Sequence, residues 1–143
     1  MIEFARQTHS QPNLNFFVVS AKEFHACFQL LQNKNIMVFS SGSLQYVQPE
    51  HLDMFFRMCN SPENEIEIHL SEPGNETELP PDQIRGSRVR GNFSYTHDYG
   101  YYAKKNGYNI LFSKIIRPFI PYQKYPIHLG TIHYDFSCTN KPD

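Results

Sequence analysis

The chain has 143 residues, 13 Lys and Arg against 14 Asp and Glu, no Trp, 12 Phe and 9 Tyr. A net charge of -1 excludes a globally cationic nucleic-acid binder, and an aromatic share of 15% excludes a disordered chain. A chain this long can bury roughly two-thirds of its unfolded surface, so folding needs no metal or disulfide. The three cysteines, with no CxxC pair, supply neither.

In chain order, the apolar run Phe16 to Val19 predicts a buried strand. Ser20-Ala21-Lys22-Glu23 then has capping-box spacing, with Ser20 accepting from the Glu23 amide. Phe24, Cys27, Phe28 and Leu31 fall on one helical stripe, which predicts an amphipathic helix ending near Asn33. Ile36 to Phe39 predicts a second buried strand, with turn chemistry in Ser40 to Ser43. Pro49 suits a first helical position, and Leu52, Phe55, Phe56 and Cys59 repeat the stripe up to Asn60-Ser61-Pro62.

Glu65 to Ser71 alternates strictly, with Ile66, Ile68 and Leu70 on the dry face and Glu65, Glu67, His69 and Ser71 on the wet one. Residues 72–84 carry Gly, Asn and a Pro-Pro pair without apolar periodicity and read as a long loop. Strands are expected in Arg88 to Tyr95, Tyr108 to Ile116 and Ile127 to Phe136, and residues 117–126, with three prolines, form a crossover. The expectation is one α+β domain over residues 1–143. Its two early amphipathic helices pack on a mixed or antiparallel sheet, and its second half is β-rich.

Charge is unevenly distributed. Glu63 to Asp82 holds seven acids and no Lys or Arg, while residues 85–105 hold Arg85, Arg88, Arg90, Lys104 and Lys105 against Asp98 alone. Tyr95, Tyr99 and Tyr101 interleave with these cations, a composition that can neutralise phosphates and stack on unpaired bases. The plainer alternative is an acidic strand pairing with a basic one across a hairpin. His97 is a candidate general base within the segment. On the last strand His133 and Asp135 share the wet face, and with His69 they are candidate metal ligands or acid and base groups if that strand neighbours Glu65 to Ser71. Cys27 and Cys59 fall on core stripes, whereas Cys138 is a candidate exposed thiol. No nucleophile elbow, P-loop or dinucleotide fingerprint is present, and no cofactor is indicated.

Without a secretory leader pattern or a membrane-spanning apolar run, the expected location is cytoplasmic, with no membrane partner. These readings combine into a small binding or regulatory module. It would engage a macromolecule, first a protein, through the acidic loop 72–84 and the basic-aromatic segment 85–105. The alternatives are an RNA or single-stranded nucleic-acid binder, or a small RNA-directed enzyme, and a metal-dependent enzyme using His69, His133 and Asp135.

Overall fold

The structure is a computed structural model that describes residues 1–9, 11–30, 35–75, 86–116 and 131–143. Its elements are α1 (Ile2–Thr8), a 3₁₀ helix (Ala21–Leu30), β1 (Asn35–Ser41), a 3₁₀ turn (Leu44–Tyr46), α2 (Pro49–Cys59), β2 (Glu65–Asn75), β3 (Ser87–Arg90), β4 (Ser94–His97), α3 (Tyr99–Lys105), β5 (Asn109–Ile116) and β6 (Thr131–Thr139). The α+β expectation holds: β1, β2, β6 and β5 form a mixed sheet in that order, and β3 and β4 form a separate ribbon. β1 and β2 run parallel, linked through α2. β6 lies antiparallel to both β2 and β5.

α2 starts where its sequence says it should, with Pro49 in the first turn, and buries Leu52, Phe55, Phe56 and Cys59. These side chains meet Ile36 and Val38 of β1, Ile66, Ile68 and Leu70 of β2, and Phe136 and Cys138 of β6 in one core. Phe56 is its centre, edge-on to Phe55 and Tyr108 at 5.3 and 5.8 Å and stacked over Tyr102 at 6.4 Å. Each such ring removes enough apolar surface from water to stabilise the fold by roughly 2–3 kcal/mol. Asn140 fastens the end of β6 to the α2–β2 connection: its Oδ1 accepts from the Ile66 amide at 2.7 Å and its Nδ2 donates to the Asn64 carbonyl at 2.9 Å.

Several expectations are corrected. Phe16 to Val19 joins no strand; residues 14–20 carry no regular structure, and Phe17, Val18 and Val19 are exposed, because no ladder receives their backbone. The first amphipathic helix is 3₁₀ rather than α, and Ser20 Oγ donates to the Glu23 carboxylate at 2.6 Å instead of accepting from its amide. Phe28 is buried and Phe24 packs beside it, while Leu31 and the expected stop at Asn33 lie outside the described residues. β1 is dry on one face only: Ile36 and Val38 are buried, but Met37 and Phe39 stand 62% and 75% exposed on the face away from the helices.

β2 extends four residues past its expected end, so Glu72 to Asn75 are strand, not loop; residues 76–84 and the crossover 117–126 lie outside the described residues. The basic stretch does not pair with β2. Instead Arg88 to Tyr95 splits into β3, a turn at Gly91 to Phe93, and β4. The second half also contains an unexpected helix, α3. Among the described residues no helix is long and apolar enough to cross a membrane.

Gly74 sits on the dry face of β2, where an added Cβ would fall inside the Tyr134 ring and 3.1 Å from Thr96 Cγ2. Gly91 has positive φ (+65°) but open space around it. Gly74→Ala is therefore expected to cost about 2 kcal/mol by overpacking, against about 1 kcal/mol for Gly91→Ala from backbone strain alone. Urea unfolding of the two variants measures both; equal losses would show that the Tyr134 ring yields freely.

Candidate functional site

Beyond the C-terminal ends of β1 and β2, the segment Gly42 to Val47, the β3–β4 ribbon and α3 converge on a buried polar junction. Its innermost member is Glu72, fully buried as the next dry-face position after Leu70. Glu72 Oε1 accepts from Ser40 Oγ at 2.6 Å and from the Ser43 amide at 3.3 Å, while Oε2 has no hydrogen-bond partner. Gln45, also buried, donates to the Gly42 carbonyl and accepts from the Arg90 guanidinium, whose Nε also donates to Ser94 Oγ. One face of the ribbon is thereby tied to the loop that follows β1.

The ribbon's other anchor is His97, 1% exposed. Its Nε2 lies 3.1 Å from the Val47 carbonyl and its Nδ1 2.6 Å from Ser87 Oγ, which is itself 2.6 Å from the Tyr102 hydroxyl. A carbonyl can only accept, so Nε2 carries the proton. The neutral ring then accepts at Nδ1 from Ser87, and Ser87 accepts from Tyr102. Burial pushes the His97 pKa down to about 4, against the opposing hydrogen bonds to backbone carbonyls. Burial also raises the Tyr102 and Tyr99 hydroxyls. The chain of donors is complete and closed to solvent. His97 therefore acts as a strut, and both of its nitrogens are occupied.

The structure divides the basic-aromatic segment. Tyr99 is 3% exposed, so it is a core residue rather than a stacking platform. Tyr95 is half-buried and stacks on His97 at 5.4 Å; Tyr101 is half-buried and edge-on to Tyr102 at 5.3 Å. Lys105 Nζ donates to Asp53 Oδ2 at 2.9 Å and Asn106 Nδ2 to Asp53 Oδ1 at 2.9 Å, which pins α3 to α2. Burial opposes ionisation of Asp53, and these two donors outweigh it and hold its pKa low. Arg90 is engaged as described, and Arg85 lies outside the described residues. The side chains of Arg88, half-buried, and Lys104, exposed, have no hydrogen bond or ion pair among the described residues. The ribbon's exposed apolar groups, Val89 at 69% and Phe93 at 84%, were not singled out by the sequence as site residues.

The histidine and carboxylate candidates do neighbour one another by strand, since β6 pairs with β2, but the register separates them. Asp135 lies opposite Ser71, whose Oγ donates to it at 2.8 Å; His133 lies opposite Pro73 and His69 opposite Ser137. His69 and His133 are thus four residues apart along β2, roughly 13 Å. His69 instead meets Glu67 at 2.7 Å and stacks on Phe39 at 5.3 Å. Among the described residues no three His, Cys, Asp or Glu side chains group as metal ligands. Cys138 is fully buried, and burial pushes its thiol up to about 12, so it is not the exposed thiol expected. Cys59 is buried and shifted likewise.

No protein-family model matches the chain, and no curated protein matches it. Among solved structures, a candidate DNA modification methylase from Thermus thermophilus superposes with a TM-score of 0.44 at 16% identity, over 87% of this chain. The chain spans about half, 51%, of that protein's length.

The neutral His97 makes stability depend on pH. Its folded pKa lies below the unfolded value of about 6.5, so the unfolded chain takes up the proton first. The contribution is fully present above about pH 6.5 and is lost as pH falls toward 4. Unfolding free energy is expected to fall by about 3 kcal/mol between pH 7 and pH 4 through this residue. Denaturant unfolding of wild type and His97→Asn across that range tests it, since the variant should lack this component. A variant with the full slope would place the dependence elsewhere.

Proposed function

We propose that the chain, folded as one α+β domain, is a small binding or regulatory module that docks a protein partner on the β3–β4 ribbon. The observation that carries this reading is the contrast between what anchors the ribbon and what it leaves bare. The ribbon is fixed at its open end by the Ser87–His97–Tyr102 chain and beside its turn by Arg90 on Gln45, while Val89 and Phe93 project with most of their surface in water. Apolar side chains carried on an anchored ribbon cost less conformational entropy to dock than ones on a free segment, which is what an energetically dominant contact requires. Arg88 and Lys104, whose side chains pair with no described residue, supply positive charge that would steer an acidic surface toward the ribbon. The expected acidic docking loop at residues 72–84 contributes less to this reading, because Glu72 is a buried strand residue and already bonded.

A second reading draws on the same two cations: single-stranded nucleic acid held by Arg88 and Lys104, with Phe93 and Tyr95 offering ring faces. It has fewer free cations than the composition suggests, since Arg90 and Lys105 are internally engaged.

The test is affinity capture from extracts of the cells that make the protein, comparing wild type with Val89→Ser/Phe93→Ser, with and without nuclease. The protein-docking reading predicts partners lost at least tenfold in the variant and indifferent to nuclease, with a thermal midpoint unchanged because both side chains are already in water. Partners retained equally by the variant would contradict it, and nuclease-sensitive capture would favour the second reading.

A further inference from the structure

Between the first turn of α3 and the β5–β6 pair lies a cavity of about 160 Å³ lined by the rings of His97, Tyr99, Tyr134 and Phe136, with Asp98 and Ser113 also on its wall. The cavity opens to solvent beside the exposed Ser113 and Ile115, and its volume is close to the roughly 150 Å³ that accommodates a benzene-sized molecule. Charge sets the polarity of a ligand of that size: among the described residues the cavity wall carries one acid, Asp98, and no Lys or Arg, and the His97 ring, donating to the Val47 carbonyl and accepting from Ser87, is neutral.

A benzene-sized space lined by His97, Tyr99, Tyr134 and Phe136 with Asp98 on its wall is a setting in which aromatic rings and a carboxylate both favour a cation. A bare metal ion would want several oxygen ligands in its first shell, which these rings do not supply. A weakly hydrated organic cation suits both the apolar wall and the charge. We propose that this cavity binds a small N-methylated ammonium head group, with Asp98 as its counter-charge and the rings of Tyr99, Tyr134 and Phe136 as its cage. The site is separate from the exposed ribbon tip and does not depend on the protein-docking reading.

Asp98 Oδ1 accepts from the Tyr101 amide at 2.9 Å at the start of α3, and asparagine can make the same bond, so Asp98→Asn removes the charge and keeps the helix start. Ser113 is an exposed position on β5, so Ser113→Phe fills the cavity from its surface side without entering the core. The experiment titrates wild type and both variants with tetramethylammonium, choline, and 3,3-dimethyl-1-butanol, the uncharged carbon isostere of choline, by calorimetry and tyrosine fluorescence. Expected are saturable binding of both cations to wild type and binding of the isostere at least tenfold weaker. Asp98→Asn should bind the cations about tenfold less tightly, and Ser113→Phe should not bind them. Absence of cation binding to the folded wild type overturns the proposal, as does equal affinity for choline and its isostere. If Ser113→Phe proves unfolded, Asp98→Asn decides alone: undiminished cation affinity there also overturns it.

Discussion

What the exposed ribbon can present depends on one imidazole staying neutral inside the protein. β3 and β4 are only four residues each and share no ladder with the main sheet, and an isolated two-stranded ribbon is marginal in water. His97 resolves this by joining three separate elements through its two nitrogens. Nε2 reaches the chain just before α2, while Nδ1 reaches the start of β3 and, through Ser87, the middle of α3. Protonation would place a second donor against the Ser87–Tyr102 pair and a charge in a site closed to water. The arrangement therefore favours one tautomer and one relative placement of ribbon, helix and loop.

Around that strut, Arg90 and Glu72 perform related tasks from opposite sides. Glu72 is buried and Arg90 half-buried, and both bond near the end of β1, Arg90 to Gln45 and Glu72 to Ser40 and the Ser43 amide. A hydrophobic contact there would have tolerated sliding. Directional bonds to charged groups are lost outright on displacement, so they fix position more than they add stability. The aromatic richness of residues 93–102 has the same explanation. Tyr99 and Tyr102 extend the core from Phe56 and Phe136 out to the ribbon.

Much of this was legible in the residues. The α2 stripe and the alternation of β2 are strong periodic signals, and each places its buried side chains as the period requires. The alternation continues one step past Ser71 to Glu72; a charged residue in a dry-face position signals loop by its type, yet a carboxylate can stay buried once donors meet it. α3 carried ordinary start and stop signals, Asp98 before it and Lys104, Lys105 and Gly107 at its end, obscured by a run of tyrosines that favours strand. Other features had no local signal. Nothing in Phe16 to Val19 says that its ladder partner is missing, and nothing near His69 reveals the register that sets it opposite Ser137 rather than His133. The charge contrast between residues 63–82 and 85–105 was real in composition, but pairing is decided by topology, and β2 pairs with β1 and β6.

The central claim is that residues 94–105 belong to the folding core and are not a mobile basic arm. Native-state hydrogen exchange resolved by residue tests this most directly. The account predicts that amides of β4 and α3 exchange only through the same global opening that releases those of α2, with Phe93 and its turn exchanging far faster. Rapid, independent exchange of β4 and α3 while α2 stays protected would contradict it.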